Sequence, residues 1–95
     1  MAVQTVTALV AETIDGDTFK TSAGDYVRLA QVCTPEVGQP GWLIARDALA
    51  TVIERSYLDL EIVGMSYGRY VCEIWRSSDK LWVNAHMRTL GYTCS

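Results

Sequence analysis

Apolar and polar positions alternate with a period of two through most of the chain and change to a helical period in two places. Side chains of a strand point to opposite faces in turn, so an apolar face needs apolar residues at every second position. Val6, Ala8 and Val10 alternate with Thr5, Thr7 and Leu9, which predicts a strand from about Val3 to Thr13. Asp15-Gly16-Asp17 is a hairpin signal, with glycine suited to positive φ. A second strand follows over Thr18 to Thr21, and Ser22 to Asp25 form another turn. The third strand starts at Tyr26, with Val27, Leu29 and Gln31 on one face and Tyr26, Arg28, Ala30 and Val32 on the other. It is expected to stop at Thr34-Pro35, because proline has no N–H for a ladder and excludes the helical region for Thr34.

Val37 to Gly41 is a loop rich in helix and strand breakers. Trp42, Ala45, Leu49, Val52 and Ile53 then step at helical spacing and give one apolar stripe, with the helix ending near Arg55-Ser56. Leu58, Leu60 and Ile62 restore the period of two, predicting a fourth strand over about Tyr57 to Val63 and a turn from Gly64 to Gly68. A fifth strand covers Arg69 to Arg76, with Tyr70, Cys72 and Ile74 on one face. After the polar turn Ser77 to Lys80, the residues Val83, Met87 and Leu90 mark a short helix closed by Gly91 as a C′ residue. Three strands, a helix, two strands and a terminal helix is the order of a β-rich, five-stranded OB-fold barrel, with the first helix plugging one end. The 95 residues make a single domain with one core.

Composition adjusts this picture in three ways. A hydrophobic fraction of 49% with 20% charged residues excludes a disordered chain. No apolar run approaches the roughly 20 residues of a membrane span. A net charge of −3 argues against a broad basic surface for nucleic acid, though a small basic site on an acidic body fits it. The basic residues are mostly Arg, whose planar fork suits bidentate contact with phosphate. Met1 to Thr5 shows neither a basic nor an apolar leader segment, which leaves the compartment open: secreted or periplasmic if a leader is removed, otherwise cytoplasmic. Cys33, Cys72 and Cys94 allow one internal bridge, and none has the close spacing of a zinc site. His86 stands alone on the short helix, and Trp42 falls on the core stripe of the first helix.

Four charged residues occupy special places. Asp17 opens strand two, Arg28 lies in strand three, Glu36 follows its end, and Arg69 starts strand five after Tyr67-Gly68. In a small barrel these positions can converge on one rim. Two guanidinium groups and two carboxylates there suit phosphate chemistry: the forks hold phosphate oxygens and developing charge, and a carboxylate positions or deprotonates a water. Ordinary surface ion pairs use the same residue types, and spacing alone does not separate the two.

Ile14-Asp15-Gly16-Asp17-Thr18, Val27-Arg28-Leu29, Thr34-Pro35-Glu36, Tyr67-Gly68-Arg69, Val83-Asn84 and Leu90-Gly91-Tyr92 together resemble the staphylococcal nuclease (thermonuclease-like) family, in order and at fitting intervals from about Val6 to Tyr92. The resemblance implies a calcium-dependent nuclease, a phosphodiesterase cleaving DNA and RNA to 3′-phosphate products. Carried over by position, Glu36 would act on the attacking water, and Arg28 and Arg69 would bind the phosphate and stabilise the transition state. Asp17 would be a metal ligand, joined by the carbonyl of Thr34. Tyr67 and Tyr92 lie near the implied rim as candidates for nucleotide stacking. Asn84 would be structural, tying the terminal helix to the barrel.

The departures bear on activity. Where the family has a metal-binding aspartate before Thr-Pro-Glu, this chain has Cys33, and calcium prefers hard oxygen to sulfur. The loop after Glu36 is short, and the C-terminal helix of longer members is absent. Cys33 is open to three readings: an inert thiol, a ligand for a softer metal, or a partner of Cys94. In the related fold the segment after the terminal helix runs close to the end of strand three, which would let those two thiols meet. The expectation is a metal-assisted nuclease weakened at its cation site. The alternative is a nucleic-acid- or protein-binding module on the same fold with cleavage lost.

Overall fold

The computed structural model describes residues 5–94, so the predicted start of the first strand at Val3 lies outside the described residues. The strands are β1 (Thr5–Thr13), β2 (Thr18–Thr21), β3 (Tyr26–Leu29), β4 (Tyr57–Ser66) and β5 (Arg69–Arg76). The helices are α1 (Trp42–Ile53) and α2 (Val83–Thr89). The strands close into a five-stranded barrel in the order β1-β2-β3-β5-β4, an OB-like architecture in which β3 and β5 are parallel and the other neighbours antiparallel. Closure depends on one bulge. β1 pairs β4 over Thr5–Leu9 and β2 over Val10–Thr13, and its register shifts between Val10 and Glu12. A bulge adds a residue to one strand and turns it, so one strand serves both sides of the seam.

The core is filled by Phe19, Val27, Leu29, Leu58, Leu60, Cys72 and Ile74 from the strands, with Leu49, Ile53, Val83 and Met87 from the helices. α1 buries Ala45, Leu49 and Ile53, a four-residue step that keeps one face inward. Trp42 is only half-buried, with Arg46 stacked over its ring at 5.4 Å, so it edges the core rather than filling it. Cys72 is fully buried, and that burial pushes its thiol up to about 11, making it an inert apolar filler.

Two boundaries differ from the sequence reading. β3 ends at Leu29, well before Thr34-Pro35, because Gln31 adopts a left-handed φ of 56°. That rotation breaks the alternation: Ala30 and Val32 are buried and Gln31 is exposed, the reverse of the expected faces at Gln31 and Val32. β4 continues three residues past Val63 to Ser66, and the turn shrinks to Tyr67-Gly68, both at positive φ. A two-residue turn of that kind matches the twist of the strands it joins. The hairpin accommodates the extra length through a second bulge between Ile62 and Gly64.

Arg76 closes the barrel end near the C-terminus of α1. Its guanidinium donates to the carbonyl of Val52 at 3.0 Å and holds both carboxylate oxygens of Asp79. The Asp79 carboxyl is lowered to about 2, by the Arg76 bond first and the Leu81 N–H second. A carboxyl depressed in the folded state stabilises it above the unfolded value, and that contribution fades as pH falls from about 4 to about 2. Urea midpoints measured across this range should therefore fall more steeply for the native protein than for Asp79→Asn, and the two curves should converge below pH 2. Parallel curves would show that the pair contributes nothing.

Candidate functional site

One open depression of about 620 Å³ is lined by Asp15, Asp17, Arg28, Cys33, Thr34, Glu36 and Arg69, with Val37 and Gln39 at its edge. These residues come from the β1–β2 turn, β3, the loop after it, and β5, with Asp17 just before β2 rather than opening it. The parallel β3–β5 pairing brings them together, setting Arg28 opposite Val71 two residues beyond Arg69. All four charged residues singled out in the sequence line it. Tyr67 and Tyr92 do not. Tyr67 is 97% exposed at the hairpin tip, and Tyr92 packs its partly buried ring against the core.

Asp17 is the centre of the arrangement. Its backbone sits outside the ladder, with its carbonyl accepting from Leu29 N–H at 2.8 Å. Its Oδ1 accepts from the Thr18 hydroxyl at 2.9 Å, and its Oδ2 lies 3.4 Å from Thr34 N–H and 3.8 Å from the Arg28 guanidinium. The Thr18 hydroxyl in turn accepts from Arg69 Nη1 at 3.2 Å. Arg28 and Arg69 are thus linked through Thr18 and Asp17, and the relay fixes both forks relative to each other. Each is also anchored to backbone: Arg28 to the carbonyls of Leu29 and Val32, Arg69 to that of Ser66. The side chains of Arg28 and Asp17 are only 23% and 11% exposed, so their attraction is screened less than a surface pair's.

Glu36 stands across the mouth and is exposed. A reciprocal pair of bonds fixes its backbone: Glu36 N–H donates to the side chain of Gln39 at 2.8 Å, and Gln39 N–H donates to the Glu36 carbonyl at 2.9 Å. No ion pair among the described residues engages its carboxylate.

Asp15 is a lining residue that sequence reasoning treated only as part of a turn. Its carboxyl is pushed up to about 6, by burial above all, with the Asp17 N–H bond pulling the other way and the Asp17 carboxylate acting in the same direction as burial. The Asp-Gly-Asp repeat was the signal available for it: the outer carboxylate closes the turn by accepting from Asp17 N–H at 3.0 Å. Gly16 between them serves proximity rather than positive φ. A Cβ there would stand 2.7 Å from Ala45 Cβ on α1 and 2.7 Å from Thr34 Cγ2, so only glycine lets the turn, the helix and the Thr34 loop meet. Gly16→Ala should cost about 1–3 kcal/mol, the range for overpacking a filled site, read as a drop in urea midpoint with unchanged slope.

Cys33 and Cys94 form a disulfide with their Cα atoms 5.0 Å apart, which decides among the three readings of Cys33. It is neither an inert thiol nor a ligand for a soft cation. The donor set also fits a calcium ion poorly. Such an ion takes six to eight oxygens. Here Asp17 already faces a guanidinium, and the Cys33 sulfur that lines the same depression is held in a disulfide. Thr34 Oγ1 is buried here without a hydrogen-bond partner.

Asn84 sits outside the depression and is fully buried. Its Oδ1 accepts from Ile74 N–H at 2.8 Å, and its Nδ2 donates to the carbonyls of Ala30 and Cys72 at 3.1 and 3.0 Å. It ties α2 to the end of the β3–β5 seam that carries both arginines. Compared with known protein families and with curated proteins, the chain matches none.

Proposed function

We propose that the chain is a phosphodiesterase that binds nucleic acid through one phosphate and hydrolyses it weakly, a compact relative in kind of the staphylococcal nucleases. The observation that carries this reading is the convergence of Arg28, Arg69, Asp17 and Glu36 on one open depression. In this reading the two guanidinium forks hold the non-bridging oxygens of a phosphodiester and stabilise the charge that grows as a fifth oxygen approaches phosphorus. Asp17 orients Arg28 directly and Arg69 through Thr18. Glu36, unpaired at the mouth, accepts the proton of the attacking water. No step is assigned to a cation, because the donor set does not suit calcium.

A second reading, a nucleic-acid-binding module without cleavage, is favoured by one observation: the sulfur at the place of a carboxylate ligand is locked in a disulfide. Hydrolysis of single-stranded DNA, with and without calcium, separates the two. Glu36→Gln should lower the rate by about 10²–10⁴-fold while leaving nucleotide binding intact. Cys33→Asp/Cys94→Ser should gain calcium-dependent cleavage over Cys33→Ser/Cys94→Ser, since both variants lack the bridge and differ only in the carboxylate. Binding of a nucleoside 3′,5′-bisphosphate without any cleavage would select the second reading. Absence of both would sink the first and the second together.

A further inference from the structure

The disulfide lies at the site and not in the core. Both cysteines are exposed, and Cys33 lines the depression. The Sγ of Cys33 is 3.8 Å from Arg28 Nη2. Exposed bridges exchange with thiols more readily than buried ones. The chain is firmly held on the Cys33 side, where Val32 is buried in the core and Thr34 packs against Gly16, and lightly held on the Cys94 side. Beyond α2, the tail is joined to the end of β3 by an isolated bridge between Val32 and Thr93 and a 3.3 Å bond from Cys33 N–H to the Tyr92 carbonyl. The Val32 carbonyl is also one of the two backbone anchors of the Arg28 guanidinium, at 3.3 Å. Tail, bridge and phosphate-binding arginine therefore meet within three residues.

We propose that the Cys33–Cys94 bridge is a thiol-exchange site that switches the Arg28 anion cradle, an inference that rests on the phosphodiester reading above. The reagent is a thiol or dithiol reductant. Its thiolate attacks Cys94 Sγ, a new S–S bond forms there, and the bond to Cys33 breaks. Cys33 leaves with the electron pair as a thiolate beside the Arg28 guanidinium, which stabilises that leaving group over the alternative one. A second thiol of the reductant attacks the mixed disulfide and releases Cys94. The reductant becomes a disulfide, one of its two thiol protons ends on Cys94 and the other passes to solvent, and two electrons pass to the protein. Opening leaves Thr93 and Cys94 held to the barrel by the isolated Val32–Thr93 bridge, while Val32 stays buried in the core. Arg28 keeps its carbonyl anchors, and the freed Cys33 thiolate, its sulfur 3.8 Å from Nη2 in the closed form, competes with phosphate for the same fork.

Two measurements on the full chain test this. In the first, glutathione is added to the folded oxidised protein, free thiols are trapped with iodoacetamide, and peptides are mapped. Glutathione on Cys94 and the alkyl group on Cys33 is the expected outcome. The opposite labelling overturns the proposed direction, and a bridge that opens only where circular dichroism shows unfolding overturns the switch. In the second, a nucleoside 3′,5′-bisphosphate is titrated into the oxidised and dithiothreitol-reduced protein, with circular dichroism establishing that both remain folded. Affinity should fall at least fivefold on reduction and return on reoxidation. Equal affinity in the two forms overturns the switch and leaves the phosphodiester reading standing. Binding by neither form overturns both.

Discussion

Asn84→Ala is expected to destabilise the protein by about 3 kcal/mol. Asn84 is completely buried and uses both ends of its amide. The three backbone groups it serves do not suffer equally when it is removed. The Ala30 carbonyl also receives Arg88 Nη1 at 3.4 Å, and the Cys72 carbonyl also receives Ala30 N–H at 2.9 Å. Ile74 N–H has no such second partner among the bonds that reach it, so it becomes a buried orphan donor, at a cost of about 1–3 kcal/mol. The emptied amide volume adds to this, because the surrounding core closes only partly. For a domain of this size the sum corresponds to a fall in Tm of roughly 15 °C. Asn84→Asp refines the test. It keeps an acceptor for Ile74 N–H but turns a second oxygen toward two carbonyls, so it should be worse than alanine at neutral pH and recover as pH falls and the carboxyl protonates. Thermal unfolding of both variants at pH 7 and pH 4 reads this. A loss below 1 kcal/mol in Asn84→Ala would show that α2 is held by its apolar face alone.

The same residue shows which features were legible in the chain. The period-of-two runs located all five strands, and the helical stripes located α1 and α2, because each face is forced by burial on one side. Gly91 was readable as the C′ residue of α2, and it takes φ 101° there. The ends of β3 and β4 were not readable. The first depends on a left-handed Gln31, a residue with no special claim to that conformation, and the second on a bulge that conceals three more pairs of strand residues from a simple alternation count. The charged residues of the depression were identifiable by place, since strand starts and ends project to the rim of a barrel. Their mutual wiring was not. The Arg28–Asp17–Thr18–Arg69 relay spans 51 residues between Thr18 and Arg69, and only the β3–β5 pairing brings its ends together. Asp15 escaped because a buried carboxyl and a turn-closing one look alike in a sequence.

Replacing both bridge cysteines, Cys33→Ser/Cys94→Ser, is expected to lower stability by about 4 kcal/mol. The bridge closes a loop of sequence separation 61, and cross-linking so long a loop removes much of the freedom of the unfolded chain. The effect belongs mainly to the unfolded state. The folded barrel closes through strand pairing without the tail, and its apolar core involves neither cysteine. Urea unfolding should accordingly show a lower midpoint together with a larger slope, since an uncrosslinked unfolded chain exposes more surface. Small domains hold about 5–15 kcal/mol, so the double variant should remain folded at 25 °C and retain its far-ultraviolet spectrum. An unchanged slope with an equally large loss would place the contribution in the folded state, in the contacts between the tail and the end of β3. A loss under 1 kcal/mol would mean that the unfolded chain already keeps residues 33 and 94 close. The comparison also fixes the reference for every substitution at Cys33: any single change there opens the loop, so its effect on the depression can be read only against the double serine variant, where that cost has already been removed from both sides.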